Sequence, residues 1–124
     1  MSNVLLLKNF TAGGAIAAFR CVRLSAAETV VQATAATDAV IGVVQELPVV
    51  LGERVDVAVS GIAFAEAQGT IALGDLLTAQ GVGRVQPAAP AAGVNNRIIG
   101  IALEASTATG DIIRILLTPG SVQG

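Results

Sequence analysis

The residues of this chain that could do acid–base chemistry are its carboxylates. Glu53 and Asp56 lie close in sequence, and an internal repeat relates Glu46 to Glu104. Two carboxylates facing one bond are the usual machinery of glycoside hydrolysis. The chain has no His, Trp or Tyr and only three Phe, so it lacks the commonest general base and the aromatic rings that hold a sugar. We therefore predict no catalytic residues and no enzyme activity, and we interpret the acids as turn residues and solvated strand positions.

Other reactive sites have no support in the sequence. There is no Gly-x-Ser-x-Gly nucleophile motif and no glycine-rich phosphate motif. No cluster of oxygen ligands suits calcium, so we expect neither a metal site nor a cofactor. Cys21 alternates with Phe19 and Arg23 in a strand-like run, which indicates a buried, unreactive thiol. A lone cysteine cannot form an internal disulfide, which is typical of a protein made in reducing cytoplasm.

The composition predicts a single small domain with a partly covered surface. The 124 residues carry a net charge of −2, with 13% charged and 53% hydrophobic residues. No basic patch offers a site for nucleic acid or anionic lipid. No uncharged apolar run approaches the ~20 residues of a membrane-spanning helix, and the apolar start is too short for a signal peptide. So few charges predict a homo-oligomer or a protein docked on a larger structure.

Strand patterns dominate the chain. In RVDVAVS, which begins at Arg54, valines alternate with polar or small residues, and this is the period of a half-buried strand. The matching run near the C-terminus also has Ile112 and Leu116 on its other face, so we expect that face to be covered by another chain or layer. The run at 25–40 fits either a helix or strand and loop, and its β-branched residues favour strand. The segment GDLLTA could form one helical turn.

One sequence pattern occurs twice. IGVVQELPVVLGERVDVAVSG begins at Ile41 and IGIALEASTATGDIIRILLTPG begins at Ile99, which places Gly42 and Gly100 58 residues apart. We predict a mainly β fold, a compact β-barrel or sandwich with two pseudo-repeated halves. The expected domain is 15–124, with the repeats at about 15–61 and 73–120 and with 41–59 packed against 99–117 in the core.

Glycines separate the predicted strands. Glycine tolerates positive φ, and an acid that follows it can accept hydrogen bonds from turn amides, as expected for Gly-Glu at 52–53 and Gly-Asp at 74–75 and 110–111. The predicted turn glycines are Gly42, Gly52, Gly61, Gly74, Gly100, Gly110 and Gly120. Between the repeats, QPAAPAAGVNN at 86–96 carries two prolines and two asparagines and is predicted to be a surface loop.

The N-terminal stretch has two interpretations. An apolar patch that includes Leu7 and Phe10 precedes the Gly-Gly pair at 13–14. The stretch 1–14 is either a first core strand or an arm that packs on a neighbouring subunit or on a larger surface. We take the arm as the working hypothesis, because it fits the shortage of surface charge.

Taken in order, these phrases resemble one known family. They are KNFTAGGAIAAFRCVRL, TVVQATAATDAVIGVV, GERVDVAVSGIAFAEAQGTIALGDLLT and GRVQPAAPAAGVNNRIIGIALEASTATGDIIRILLTPG, which together run from about Lys8 to Gly120. The chain resembles the small bacteriophage head-decoration proteins, also called capsid cement proteins. The order and spacing of the phrases carry the resemblance, since no phrase is a strict signature by itself.

The resemblance implies a structural virion protein with no enzymatic role. Such a protein is made in the host cytoplasm, binds the outside of the phage head as a homotrimer, and stabilises the expanded shell by bridging major capsid subunits. The resemblance transfers no binding residue, so we select contact candidates from the arm and the 86–96 loop: Val4, Leu5, Leu6, Leu7, Phe10, Pro87, Pro90 and Asn95. The alternatives are a phage tail, baseplate or head-fibre β-module, a β-barrel for a small apolar ligand, and a carboxylate enzyme.

Overall fold

The computed structural model describes residues 4–45, 50–90 and 92–123 of the chain, and these residues form nine β-strands. The mainly β prediction is confirmed. Within the described ranges, no helix is long and apolar enough to cross a membrane. The strands are β1 (Val4–Ala12), β2 (Cys21–Ala26), β3 (Thr29–Gln32), β4 (Val40–Val44), β5 (Arg54–Glu66), β6 (Leu76–Ala79), β7 (Val85–Pro87), β8 (Asn95–Ala102) and β9 (Ile112–Gln123).

Five strands close into a barrel, which we call the first ring. Its order is β1-β3-β2-β4-β5, and β1 closes the ring by pairing with β5 as well as with β3. β1 runs parallel to β3, where Ala12 faces Val30, and the other neighbouring strands run antiparallel. Closure removes the exposed sheet edges that would otherwise attract other strands. The interior contains Phe10, Ala12, Ile16, Val22, Val30, Val44, Val55 and Val57.

β5 belongs to two rings. Its first half pairs with β4 and β1, and its second half pairs with β9. Between the halves lies Gly61, whose φ of +90° is a backbone conformation that side chains other than glycine rarely adopt. The second ring has the order β5-β9-β8-β6-β7, and a parallel bridge from Ala67 to Val85 ties β7 back to the chain that leaves β5.

The two rings have the same topology, which confirms the pseudo-repeat. Ala12 donates its backbone N–H to Glu53 at 2.8 Å, and Ala67 donates to Asp111 at 2.7 Å. The first partners of these pairs are 55 residues apart and the second partners are 58 apart. The second copy is therefore three residues longer, and the extra residues are taken up by β8, which begins three residues before Ile98, the position equivalent to the first residue of β4. In this correspondence the second half of β5 takes the place of β1.

Each ring has its own interior. The residues inside the second ring stand at positions equivalent to those inside the first: Ala65, Ala67, Ile71, Leu77, Val85, Ala102, Ile113 and Ile115. The expectation that 41–59 and 99–117 pack on each other in the core is met only in part: Val43 and Ala58 share one buried cluster with Ile99 and Leu117, whereas Val44, Val55 and Val57 lie in a separate interior. Each segment lines its own ring, because alternate residues of a barrel strand point inward.

The ambiguous segments are both strands. The run at 25–40 forms the end of β2, the strand β3 and the start of β4, which confirms the strand-and-loop interpretation. The GDLLTA segment continues from the Gly74 turn into β6 and forms no helical turn. β6 has Leu77, Thr78 and Ala79 fully buried, so tertiary burial decides its structure.

Candidate interaction surface

The acids at the turns hold backbone amides. The Glu53 carboxylate accepts a hydrogen bond from the Val50 N–H at 2.8 Å, and Asp75 accepts one from Ala72 at 2.9 Å. Asp111 accepts one from Thr107 at 3.0 Å. The prediction that these acids satisfy turn amides is confirmed.

Two further carboxylates that the sequence singles out, Asp56 and Glu104, are each hydrogen-bonded to a neighbouring residue. Asp56 accepts a hydrogen bond from Asn9 Nδ2 at 3.0 Å on an exposed strand face. Glu104 accepts one from the Arg114 N–H at 2.8 Å, and its pairing with the Arg114 guanidinium lowers the pKa of the Glu104 carboxyl. Glu46 lies outside the described residues. Among the residues that the structure describes, no group of three or more His, Cys, Asp or Glu could hold a metal ion.

Cys21 is buried at the start of β2. Its side chain has no solvent exposure, and burial raises the pKa of the thiol to about 12. A thiol that stays protonated at neutral pH is neither a nucleophile nor a metal ligand. The prediction of a buried thiol is confirmed.

The predicted turn glycines fall into two groups. Three of them lie in turns with positive φ: Gly52 (+87°), Gly74 (+83°) and Gly110 (+101°). The other four lie inside strands, so the prediction of turns at these positions is wrong: Gly42 in β4, Gly61 in β5, Gly100 in β8 and Gly120 in β9. Gly42 and Gly100 are needed for a different reason, since a Cβ at either position would collide with a backbone carbonyl of the paired strand.

The N-terminal contact candidates divide between core and surface. Residues 4–12 form β1, so this part of the predicted arm is a strand of the first ring. Phe10 lies in the interior of that ring with 7% exposure, so its prediction as a contact residue is wrong. Leu7 is half exposed and remains a contact candidate. The side chains of Val4, Leu5 and Leu6 lie outside the described part of the molecule.

The second set of candidates surrounds a connection between strands. Pro87 is the last residue of β7, Asn95 is the first residue of β8, and Pro90 lies between them, where it is half-buried. The predicted 86–96 loop is therefore shorter at both ends. Its role in contacting a capsid stays a prediction.

One organised apolar feature of the described surface is a row across the second ring. Four directly paired residues, one from each of β5, β9, β8 and β6, form it: Ile62, Leu116, Ile101 and Leu76. We call this the outer row. Leu116 is 37% exposed and Leu76 is 44% exposed, while Ile62 and Ile101 are half-buried. Two further exposed apolar residues belong to the same strands or follow them: Ile112 is the first residue of β9, and Leu103 follows β8. Soluble monomers rarely leave such a continuous apolar patch without a partner.

Part of this surface is visible in the sequence and part is not. The apolar second face of β9, with Ile112 and Leu116, predicts a covered surface, and these two residues are exposed in the monomer. Ile62 and Leu76 give no such signal, because their neighbours across the sheet depend on strand order. The row exists only when β5, β9, β8 and β6 lie side by side.

The fold is that of a known phage head component. The chain is similar to a solved structure described as the head fiber gp8.5 N base in bacteriophage phi29, with a TM-score of 0.68 and 17% sequence identity. The alignment covers 96% of this chain and 98% of that one. At this level of identity the likeness establishes the fold alone.

The sequence places the chain in a family. The model of the phage cement protein family matches residues 7–117, and the chain belongs to this family. No significant match was found among curated protein sequences. The protein is thus a structural component of a phage capsid.

Proposed function

We propose that the protein binds the outer surface of a phage head as a trimer and stabilises the expanded shell by bridging major capsid subunits. The observation that carries this proposal is the membership in the cement protein family over residues 7–117. A second observation supports it, because the exposed outer row gives an apolar surface suited to contact with another protein.

The mechanism is a shift of an assembly equilibrium. A protein that binds the expanded shell and not the unexpanded or disassembled one stabilises the expanded shell by its binding free energy. A trimer that contacts several capsid subunits at once gains further, because each additional contact forms at a high effective concentration. The low charge suits contacts that persist over a range of salt concentrations. The protein is made in the host cytoplasm and acts on the outside of the finished head.

Co-sedimentation with purified heads tests the proposal. Expanded empty heads and unexpanded heads are incubated separately with increasing amounts of the protein and pelleted. The proposal predicts saturable binding to expanded heads, at a copy number in proportion to capsid subunits, and little binding to unexpanded heads. Equal binding to both forms, or no binding to expanded heads, would refute it.

A head-fibre base is the second candidate function. The likeness to the phi29 head fiber N base over 96% of the chain favours it. A fibre base and a cement protein differ in the number and position of bound copies. Electron microscopy of saturated heads separates them: a cement protein predicts a bound copy at every equivalent site of the shell, whereas a fibre base predicts occupancy of only a subset of these sites.

A further inference from the structure

The two repeated rings allow the outer row to be compared with its equivalent in the first ring. The equivalent row in the first ring consists of Leu7, Ala58, Val43 and Cys21, which are paired in the same order across β1, β5, β4 and β2. We call this the inner row. Leu7 at its end is half exposed, but the other three residues have no solvent exposure. Two equivalent surfaces of one chain therefore differ, since one is covered and the other is not.

The second ring covers the inner row. Val43, Ala58 and Cys21 belong to the apolar cluster of the second ring and not to the interior of the first. β4 lies directly against β8 and β9. Two backbone hydrogen bonds elsewhere also join the two rings: the Arg97 N–H donates to Ala36 O at 2.7 Å, and the Cys21 N–H donates to Gly83 O at 2.8 Å.

These contacts identify the end of the second ring that receives the inner row. Arg97 is two residues before Ile99 in β8, and Gly83 lies in the turn that follows Ala79 at the end of β6. Ile99, Ala79 and Leu117 are buried there, in the same cluster as the inner row. The outside of one ring thus seals the end of the next.

The first ring has the same end, and among the described residues it is only partly covered. The residues equivalent to Ala79, Ile99 and Leu117 are Leu24, Ile41 and Val59. Leu24 is 47% exposed, and Ile41 and Val59 are only partly buried against the interior of the first ring. We call these three residues the open end. The described residues therefore include a partly exposed outer row and a partly exposed open end, and the corresponding surfaces already fit each other inside the chain.

We propose that the outer row of one copy docks on the open end of a second copy, so that the interface between subunits repeats the interface between the two rings. The contact is heterologous, because two different surfaces meet, and such contacts close into rings when the rotation between copies permits. A closed trimer would place six equivalent rings in a cycle. This inference deepens the trimer of the proposed function and names the surfaces that form it.

The connection between β7 and β8 has a place in this interface. Its counterpart in the first ring, between β3 and β4, contains Ala36, whose carbonyl accepts the Arg97 N–H and also the Thr78 hydroxyl at 3.2 Å. In the docked arrangement the connection that contains Pro90 would lie against the next copy beside Arg23, the residue equivalent to Thr78. The loop selected from the sequence as a contact region would then contact a neighbouring subunit.

Complementation between two variants tests the inference. Leu116→Asp damages only the outer row and Leu24→Asp damages only the open end. Leu51→Asp, in an exposed turn away from both surfaces, is the matched control. The oligomeric state of each protein is measured by analytical ultracentrifugation, alone and in a 1:1 mixture, after thermal unfolding has shown that each variant is folded.

The expected result is specific to a contact between two different surfaces. Each interface variant alone should lose self-association by at least about 30-fold, as expected for a charge placed in an interface hot spot, and the control should assemble like the wild type. The mixture of the two interface variants should form a 1:1 dimer, because each supplies the surface that the other lacks, and this dimer cannot grow further.

Three results would overturn the inference. They are a monomeric wild type, a Leu24→Asp protein that assembles normally, and a mixture of monomeric variants that forms no dimer. Binding of the wild type to expanded heads is measured in parallel. Complementation without head binding would support the proposed interface and refute the cement function. Head binding without complementation would support the cement function and refute the proposed interface.

Discussion

Gly42 and Gly100 stand at equivalent positions of the two rings, and each allows the backbone of a paired strand to approach. A Cβ on Gly42 would collide with the carbonyl oxygen of Ala58, and a Cβ on Gly100 would collide with that of Leu116. Neither glycine has positive φ, so close approach and not backbone conformation explains both. The carbonyls that they approach belong to the inner row and the outer row.

Substituting either glycine should destabilise its ring. We expect Gly42→Ala and Gly100→Ala to lower the free energy of unfolding by about 1–3 kcal/mol each, because the strands must separate to admit a methyl group. Denaturant unfolding at fixed protein concentration measures this. Gly14→Ala is the control, since nothing lies within 4 Å of its Cβ position. Variants at positions 42 and 100 that are as stable as this control would contradict the packing argument.

Glu66 should contribute more to the stability of the folded protein than an exposed carboxylate does. Its carboxylate binds Arg20 Nη2 at 3.1 Å and also Arg84 Nε, and all three side chains are largely buried between the two rings. Replacing one partner of a buried ion pair leaves the other charge uncompensated. We expect Glu66→Gln to destabilise the protein by about 1–3 kcal/mol, below the value for a fully buried pair because some solvent reaches the arginines.

The matched control for Glu66 is Glu104→Gln, which removes an exposed ion pair with Arg114. Exposed pairs contribute little to stability. Chemical unfolding of both variants at neutral pH compares them. Equal effects of the two substitutions would show that the contact between the rings does not depend on the Glu66 cluster.

Glu104 gives a pH dependence with a defined sign. Hydrogen bonds from the Arg114 side chain and backbone hold the pKa of Glu104 below its ordinary value of 4.5. A lowered folded-state pKa stabilises the protein above the unfolded-state pKa, and this contribution is lost as the pH falls through the folded-state value. NMR titration should place the midpoint of Glu104 below 4.5, and Arg114→Gln should move it upward. A midpoint unchanged by that substitution would contradict the assignment of cause.

Cys21 should be protected from modification in the folded protein. Burial raises its pKa to about 12, so almost no thiolate exists at neutral pH, and the side chain has no solvent exposure. We expect iodoacetamide to leave Cys21 unmodified in native buffer and to alkylate it fully in denaturant, as read by mass spectrometry. Rapid alkylation of the native protein would show that the second ring does not seal the inner row.

The sequence predicts the strands and the repeat better than it predicts how the rings share residues. Alternating valines around Val57 and the 58-residue spacing of Gly42 and Gly100 are local signals, and both survive in the structure. No local sequence pattern indicates that β5 belongs to two rings. The sequence predicts a turn at Gly61, but β5 passes through this residue, and the part of β5 that follows it is the counterpart of β1.

The residues of the exposed surface are also hard to predict from the sequence, because their exposure depends on strand order. Phe10 has the sequence character of an exposed apolar anchor, yet ring closure by β1 turns it inward. The outer row requires residues from four strands that are far apart in sequence, such as Ile62 and Leu116. Its importance follows from comparison with the buried inner row, which only the three-dimensional repeat reveals.

The thermal stability of the shell tests the central claim most directly. Expanded heads without the protein are heated alone and with a saturating amount of it, and the temperature at which the shells break is followed by calorimetry and electron microscopy. Binding that favours the intact expanded shell predicts a higher breaking temperature that rises with occupancy until the sites are filled. An unchanged breaking temperature at full occupancy would contradict a cementing role.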